Sequence, residues 1–364
     1  MGNCPIRAVS ARAYTVPTDA PEADGTFAWT KTTLVLAEVQ GGGKTGIGYT
    51  YADASLPKLI ESVLAPAILG GDVMDGSAAW MAMQRAVRNL GRSGLASCAI
   101  SAVDVALWDL KARLLDLPLA RLLGSVRESV PIYGSGGFTS YSDRQLREQL
   151  SGWVERDGCE AVKMKIGTHP EQDPHRVKIA KAAIGKAALF VDANGALPAR
   201  HASRFAEIFA ETADIRWFEE PVSSDDLAGL RFVRDHAPAG IDVAAGEYVY
   251  TQDDARSMLA SGAVDVQQAD VTRCGGITGF LAIGALCEAH HTDLSGHCAP
   301  SLHLPVACAV PRFRNLEWFH DHVRIEHMFF DGAPNPQAGA IRPDLSRPGL
   351  GLTFKHADAE QYAV

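Results

Sequence analysis

Between positions 165 and 317 the chain repeatedly ends an apolar run on a side chain able to carry charge. Lys165 closes AVKMK, Asp192 closes ALFVD, Glu219 sits in RWFEEP and Glu247 closes VAAGE. Asp270 closes VDVQQAD, His297 sits in DLSGH and Glu317 closes NLE. The gaps are 27, 27, 28, 23, 27 and 20 residues. A strand–helix unit takes about 30 residues. One polar group per unit is what a parallel (β/α) barrel delivers to the C-terminal mouth of its strands.

The residue types point to proton transfer beside a cation. Lys163 and Lys165 are two apart on one strand and share a side. Neighbouring ammonium groups repel, which would lower the pKa of each and make one usable as a base. Asp192, Glu219 and Glu247 would repel one another unless a cation sat among them, and all-oxygen ligands favour Mg²⁺ or Mn²⁺, one ion per subunit. Asn194, two residues past Asp192, could orient that ligand or meet substrate. Glu220 adjoins Glu219, and strand alternation predicts that it faces the other way. Asp270 could fix the tautomer of His297 and leave its other nitrogen free to give or take a proton. His303, His320 and His322 lack that strand-end position and read as structural. Glu317 could pair with Arg314; kept neutral in an apolar cavity, it could instead donate to a substrate carboxylate. Together these groups could abstract the proton α to a carboxylate and stabilise an enediolate.

The elements that must position these groups fall into three blocks. Residues 5–16 and 31–50 read as two strands, joined by a polar loop at 17–29 that carries Pro17, Pro21 and Gly25. A loop of that length beside a barrel reads as a lid, and otherwise as a surface excursion. Asp19, Glu22, Thr26 and Trp29 are its candidate substrate contacts. Residues 55–125 read as helices, with Ser55 a possible N-cap and with Ser101 and Asp104 either opening a helix or lying within it. The α+β domain thus spans 1–125, the barrel 126–330, and a Pro/Gly-rich tail at 331–364 wraps back onto the first domain.

Bulk properties exclude several classes. The chain has 364 residues, 47% of them hydrophobic and 21% charged, which fits a soluble globular chain. A formal net charge of -9 without basic runs argues against nucleic acid. No apolar stretch reaches the roughly 18 residues that span a membrane. The start MGNCPIRAVSARAY lacks the order of a signal peptide, and Ile6 breaks the myristoylation pattern. Seven cysteines, at 4, 98, 159, 274, 287, 298 and 308, include no CxxC pair. They read as reduced thiols in a cytoplasmic protein, with nothing marking one as catalytic.

Taken together, VKMKIG, VDANGA, FEEPV, AAGE, QADVTRCGGITG, SGHCAP and NLEW resemble the motifs of the enolase superfamily, mandelate racemase subgroup, over essentially the whole chain. SAVDVALWDLKAR resembles the helix that ends the family's N-terminal domain. The resemblance implies an α/β fold, a modified TIM barrel (β/α)₇β with an α+β capping domain. It implies Lys165 as base, Lys163 beside it, and Asp192, Glu219 and Glu247 as Mg²⁺ ligands. The expected partner is a small carboxylate, a sugar acid or 2-hydroxy acid, bound by a homo-oligomer. Three outcomes share the first half-reaction: dehydration, which the polar lid favours, racemisation or epimerisation, and cycloisomerisation of a sugar lactone. A non-catalytic metal-binding scaffold would have lost at least one of the seven residues, and a metal-dependent aldolase would not need the Lys-x-Lys pair.

Overall fold

Strand β2 (Ala28–Gly41) carries the run LVLA at Leu34–Ala37, apolar at successive positions because both of its faces are buried there. Leu34 and Leu36 join the large core, while Val35, Ala37 and Val39 join a separate core under the helices. The computed structural model describes residues 4–364, so the Met-Gly start weighed above lies outside the described residues. β2 is flanked by β1 (Ile6–Ala23) and β3 (Lys44–Tyr51) in an antiparallel sheet. The sequence suggested one strand over 31–50; a turn at Gly42–Gly43 makes it two. Helix α1 (Gly76–Ala86) and helix α2 (Leu95–Leu114) cover one face of this sheet. Ser55 makes no capping bond with its side chain; its own N–H donates to Asp53 Oδ1 at 2.9 Å.

Eight parallel strands follow: β4 (Val130–Gly136), β5 (Ala161–Lys165), β6 (Ala188–Asp192), β7 (Ile215–Glu219), β8 (Asp242–Ala245), β9 (Val266–Ala269), β10 (Asp293–Gly296) and β11 (Phe313–Phe319). They pair in chain order, and β11 pairs with β4 to close the ring. Inside the ring, Tyr133, Phe190 and Trp217 form an apolar floor with Ala244 and Val266. Two residues further along their strands, on the same inward face, come Ser135, Asp192 and Glu219. The layering of a filled barrel thus sets polar groups directly above an aromatic base. A helix, His320–Phe329, follows the last strand. The tail returns to the sheet: Val364 N–H donates to Ala13 O at 3.1 Å and Arg12 pairs with Glu360 at 2.8 Å.

Ser101 and Asp104 lie within α2 and pin the cap to the barrel. Ser101 Oγ accepts from Gly275 and Gly276 N–H at 2.9 and 3.0 Å. Asp104 accepts from the backbone N–H of Thr278 at 2.9 Å and from its hydroxyl at 2.6 Å. A Cβ on Gly276 would lie 2.4 Å from Asp104 Oδ2, so only glycine permits this approach. Asp104→Ala leaves both half-buried Thr278 donors without this acceptor. Loss of about 1–3 kcal/mol is expected in urea unfolding; an unchanged midpoint would remove Asp104 as the pin.

Candidate active site

Strand register assembles the polar layer. Lys165 sits opposite Asp192, and Asp192 opposite Glu219. Asp192, Glu219 and Glu247 are buried, and one oxygen of each lies within 4.8 Å of the others. Lys163 Nζ donates to Glu219 and lies 2.8 Å from Glu317 Oε1 and 3.3 Å from Asp192 Oδ2. Lys165 Nζ donates to Asp192 Oδ2 at 2.6 Å. Trp217, two residues before Glu219, donates from Nε1 to Glu219 Oε2 at 2.9 Å. Burial, then Asp192, raise the Glu219 pKa to about 8. Asn194 Oδ1 and Glu220 Oε1 are further buried oxygens without a hydrogen-bond partner. A dense, buried, all-oxygen set of this kind fits a divalent cation such as Mg²⁺ or Mn²⁺.

Three local expectations require correction. The lysine pair does not leave Lys165 with a lowered pKa: burial and Lys163 both lower it, but Asp192, Glu317 and Glu247 together outweigh them and the net shift is upward. Glu317 is not a neutral acid in this arrangement. Burial raises its pKa, but Lys163 and His297 hold it below the ordinary value. Ser135 Oγ also donates to Glu317 Oε1 at 2.5 Å, and Arg314 pairs with Asp242 instead. Glu220 does not follow strand alternation, because β7 ends at Glu219 and Glu220 has φ +35. Burial raises its pKa, and so do Glu247 and Asp192, the mark of a carboxyl facing the same cluster.

On the opposite side of the ring, Asp270 Oδ2 lies 2.9 Å from His297 Nδ1, with Thr272 N–H bonded to Asp270 Oδ1 at 2.7 Å. This fixes the ring and aims Nε2 inward, 3.4 Å from Glu247 Oε2 and 3.6 Å from Glu317 Oε2. Burial lowers the His297 pKa, but Cys298, Glu247 and Glu317 raise it further, and the net shift is upward. His303 is structural: its Nε2 accepts from Val271 N–H at 2.9 Å. Arg273, 3.6 Å from both Asp270 and Glu247, links the dyad to the carboxylates.

The 17–29 segment is a continuation of the β1–β2 hairpin, with a register shift between Pro17 and Glu22. Asp24 Oδ1 accepts from Thr26 and Phe27 N–H, both at 2.7 Å, and so shapes the tip. Trp29 and Asn194 line a cavity of about 290 Å³ with Lys165, Glu247, His297 and Glu317. Asp19, Glu22 and Thr26 do not line it: Asp19 pairs with His320 at 3.0 Å, Glu22 Oε2 accepts from Trp29 Nε1 at 2.7 Å, and Thr26 serves the tip. Their places are taken by Asp24, Phe27, Lys31, Thr32 and Thr33. A larger cavity, about 580 Å³, lies beside this one against Tyr248, but none of the seven strand-end groups lines it. Sequence reasoning missed Ser135, Trp217, Arg273 and Cys298. Spacing could have found two of them: Ser135 is 28 residues before Lys163, and Trp217 is two before Glu219.

Comparison with known proteins adds to this geometry. The family description "Mandelate racemase / muconate lactonizing enzyme, N-terminal domain" matches residues 9–124, and "Enolase C-terminal domain-like" matches 145–359. The chain is 32% identical over 321 residues to the 3,6-anhydro-alpha-L-galactonate cycloisomerase of Streptomyces coelicolor, covering 86% of this chain and 88% of that one. A mandelate racemase/muconate lactonizing enzyme-like protein from Rubrobacter xylanophilus superposes with a TM-score of 0.96 at 50% identity, over 99% of both chains. L-talarate/galactarate dehydratase from Salmonella typhimurium, liganded with Mg and L-lyxarohydroxamate, has a TM-score of 0.90 at 28% identity, over 100% of this chain and 94% of that one. Among the described residues no helix is long and apolar enough to cross a membrane.

Two outcomes follow from the site. Mg²⁺ should raise the melting temperature, since a ligand at a hundred times its dissociation constant stabilises by about 2.7 kcal/mol. Calorimetry should show the rise in the native protein and its reduction in Glu247→Gln; a native protein indifferent to Mg²⁺ would sink the cation site. The second concerns the hairpin. Burial, then Asp321, raise the Glu22 pKa to about 8, against the opposing pull of Trp29 and Arg324. A raised carboxyl favours the docked hairpin at low pH, and that contribution is lost as pH rises through about 8. Hydrogen exchange corrected for intrinsic rates should show hairpin protection falling through that range, and flat protection in Glu22→Gln. Identical profiles would exclude Glu22 as the latch.

Proposed function

The chain belongs to the enolase superfamily, in its mandelate racemase subgroup, and from that premise we propose that it dehydrates an acid sugar. It is an enzyme of the lyase or isomerase class, as its relatives are. The observation that carries the reading is the pair Lys165 and His297–Asp270, facing one polar-rimmed cavity from opposite sides of a closed ring.

Asp192, Glu219 and Glu247 would hold Mg²⁺, the ion present with the Salmonella dehydratase. When bound, the ion supplies positive charge that competes with Lys165 for Asp192 and favours negative charge on the substrate carboxylate. Lys165 takes the proton from the carbon next to that carboxylate. The electron pair left behind expels the hydroxyl on the following carbon, and His297 gives that oxygen a proton so that it departs as water. Asp270 keeps the imidazole oriented for the transfer and balances its charge. The resulting enol tautomerises to a 2-keto-3-deoxy acid. Lys163, enclosed by Asp192, Glu219 and Glu317, fixes the carboxylates and is not the base. Trp29 and Asn194, with Lys31, Thr32 and Thr33, offer the contacts for hydroxyl groups and for a distal end of the substrate. The cavity is small, near the low end of the usual range for small-molecule sites, which suits a compact acid.

The likeness to a cycloisomerase favours a second reading, in which the same proton abstraction opens an anhydro or lactone ring. Proton NMR in D₂O with Mg²⁺, over a panel of aldonic, aldaric, uronic and anhydro-sugar acids, separates them. Dehydration gives a 2-keto-3-deoxy acid, and cycloisomerisation a ring-opened isomer without loss of water. Epimerisation gives a deuterated stereoisomer mixture. Lys165→Ala should lower the productive rate at least a hundredfold. A substrate turned over equally well by Lys165→Ala would overturn the assignment of the base.

A further inference from the structure

We propose that His297, Cys298 and Glu317 form a second cation site, chemically opposite to the carboxylate cluster, that takes a thiophilic divalent ion of the zinc class. The three side chains are buried and each offers one donor atom to a common point. His297 Nε2 is 3.3 Å from Cys298 Sγ, Cys298 Sγ is 3.4 Å from Glu317 Oε2, and Glu317 Oε2 is 3.6 Å from His297 Nε2. Tetrahedral zinc, with bonds of about 2.3 Å to sulfur and about 2.0–2.1 Å to nitrogen and oxygen, sets its ligands roughly 3.3–3.6 Å apart. The three atoms therefore already have the spacing of one face of a zinc tetrahedron. The fourth position opens on the cavity that all three residues line.

The supporting contacts fit a metal site as well. His297 is held through Nδ1 by Asp270, the carboxylate–imidazole pairing that orients a ligand histidine. Glu317 Oε1 is occupied by Ser135 and Lys163, which leaves Oε2 turned toward the thiol. Cys298 has φ +53, and its own N–H donates to Glu317 Oε2 at 3.2 Å, so a backbone bond fixes the thiol beside its partners. The sulfur sets the preference: the Asp192, Glu219 and Glu247 group offers only oxygen, which suits Mg²⁺, while a thiolate and an imidazole select zinc. On binding, the S–H bond gives way to a sulfur–metal bond and the proton leaves to solvent. His297 and Glu317 are then occupied, so an ion here would inhibit any reaction that uses them. The site requires no particular substrate, and its failure would leave the dehydratase reading intact.

The test uses reduced, full-length protein saturated with Mg²⁺ and titrated with Co²⁺, a spectroscopic stand-in for zinc. A near-ultraviolet thiolate-to-cobalt band should appear, saturate at one ion per chain, and vanish on adding Zn²⁺. Cys298→Ser should lose the band, while Cys4→Ser, which alters the thiol that is only half-buried, should keep it. No band in the native protein, or a band that survives Cys298→Ser, would overturn the site. The native result does not depend on whether any variant folds, and Glu317→Gln, which removes the carboxylate's charge but no sulfur, should weaken the apparent cobalt affinity at least tenfold.

Discussion

The ammonium of Lys163 is the centre on which the active-site layer depends. It is fully buried and meets Asp192, Glu219 and Glu317, carboxylates from three different strands. None of these four charges could stay buried alone, since an unpaired ion in an apolar interior costs several kcal/mol. Their mutual satisfaction requires β5, β6, β7 and β11 to come together, and β11 reaches β5 only through β4 in a closed ring. Barrel closure and charge pairing are therefore one constraint. The aromatic floor of Tyr133, Phe190 and Trp217 denies water to the cluster from below. Trp217 supplies a donor to Glu219 besides.

The cap completes the cavity from above by the same logic of matched polar groups. Helix α2 is apolar on nearly every side, yet Ser101 and Asp104 lie inside it and meet the loop and helix start after β9. That loop also carries Asp270 and Arg273, so the cap is anchored next to the dyad it covers. The β1–β2 hairpin reaches the opposite rim. Gly25 comes so near that a Cβ there would lie 2.3 Å from Ala193 O, the residue after Asp192. The rim contributed by the hairpin is thus fixed against the side of the ring that carries Asp192.

What the sequence made legible followed from periodicity. Strand ends recur once per βα unit, so Asp192, Glu219 and Glu247 could be placed on neighbouring strands before any coordinates. The position of each side chain within a strand was also readable, as with Lys163 and Lys165. What was not legible depends on distances between units. Lys163 does lower Lys165, but the expected net lowering fails because Asp192, 27 residues away, lies 2.6 Å from the Lys165 ammonium. For Glu317 the sequence leaves pairing with Arg314 and a neutral donor both open, because its contact with Lys163 joins residues 154 apart. The lid contacts fared similarly: composition marked the segment as polar, but alternation and the register shift decide which side chains face the cavity. Glu22 turned to Trp29, while Asp24 and Lys31 took the rim.

Among the described residues, four of the eight non-glycine positions with positive φ lie just past the strand ends at the mouth of the barrel. Asn194, Glu220, Cys298 and Ala299 all have positive φ without being glycine, at +45, +35, +53 and +39. Each such residue costs on the order of 1–3 kcal/mol and persists only where its surroundings over-determine it. All four follow the last residues of β6, β7 and β10, where the chain must leave the strand yet keep a polar group at the mouth. The strain has different consequences on the two sides. After β6 and β7 it keeps extra oxygen donors near Asp192 and Glu219. After β10 it brings a sulfur to His297 and Glu317. One rim therefore carries a hard-donor side and a soft-donor side, and the proposed dehydration would require the soft side to remain free of metal so that His297 could move a proton.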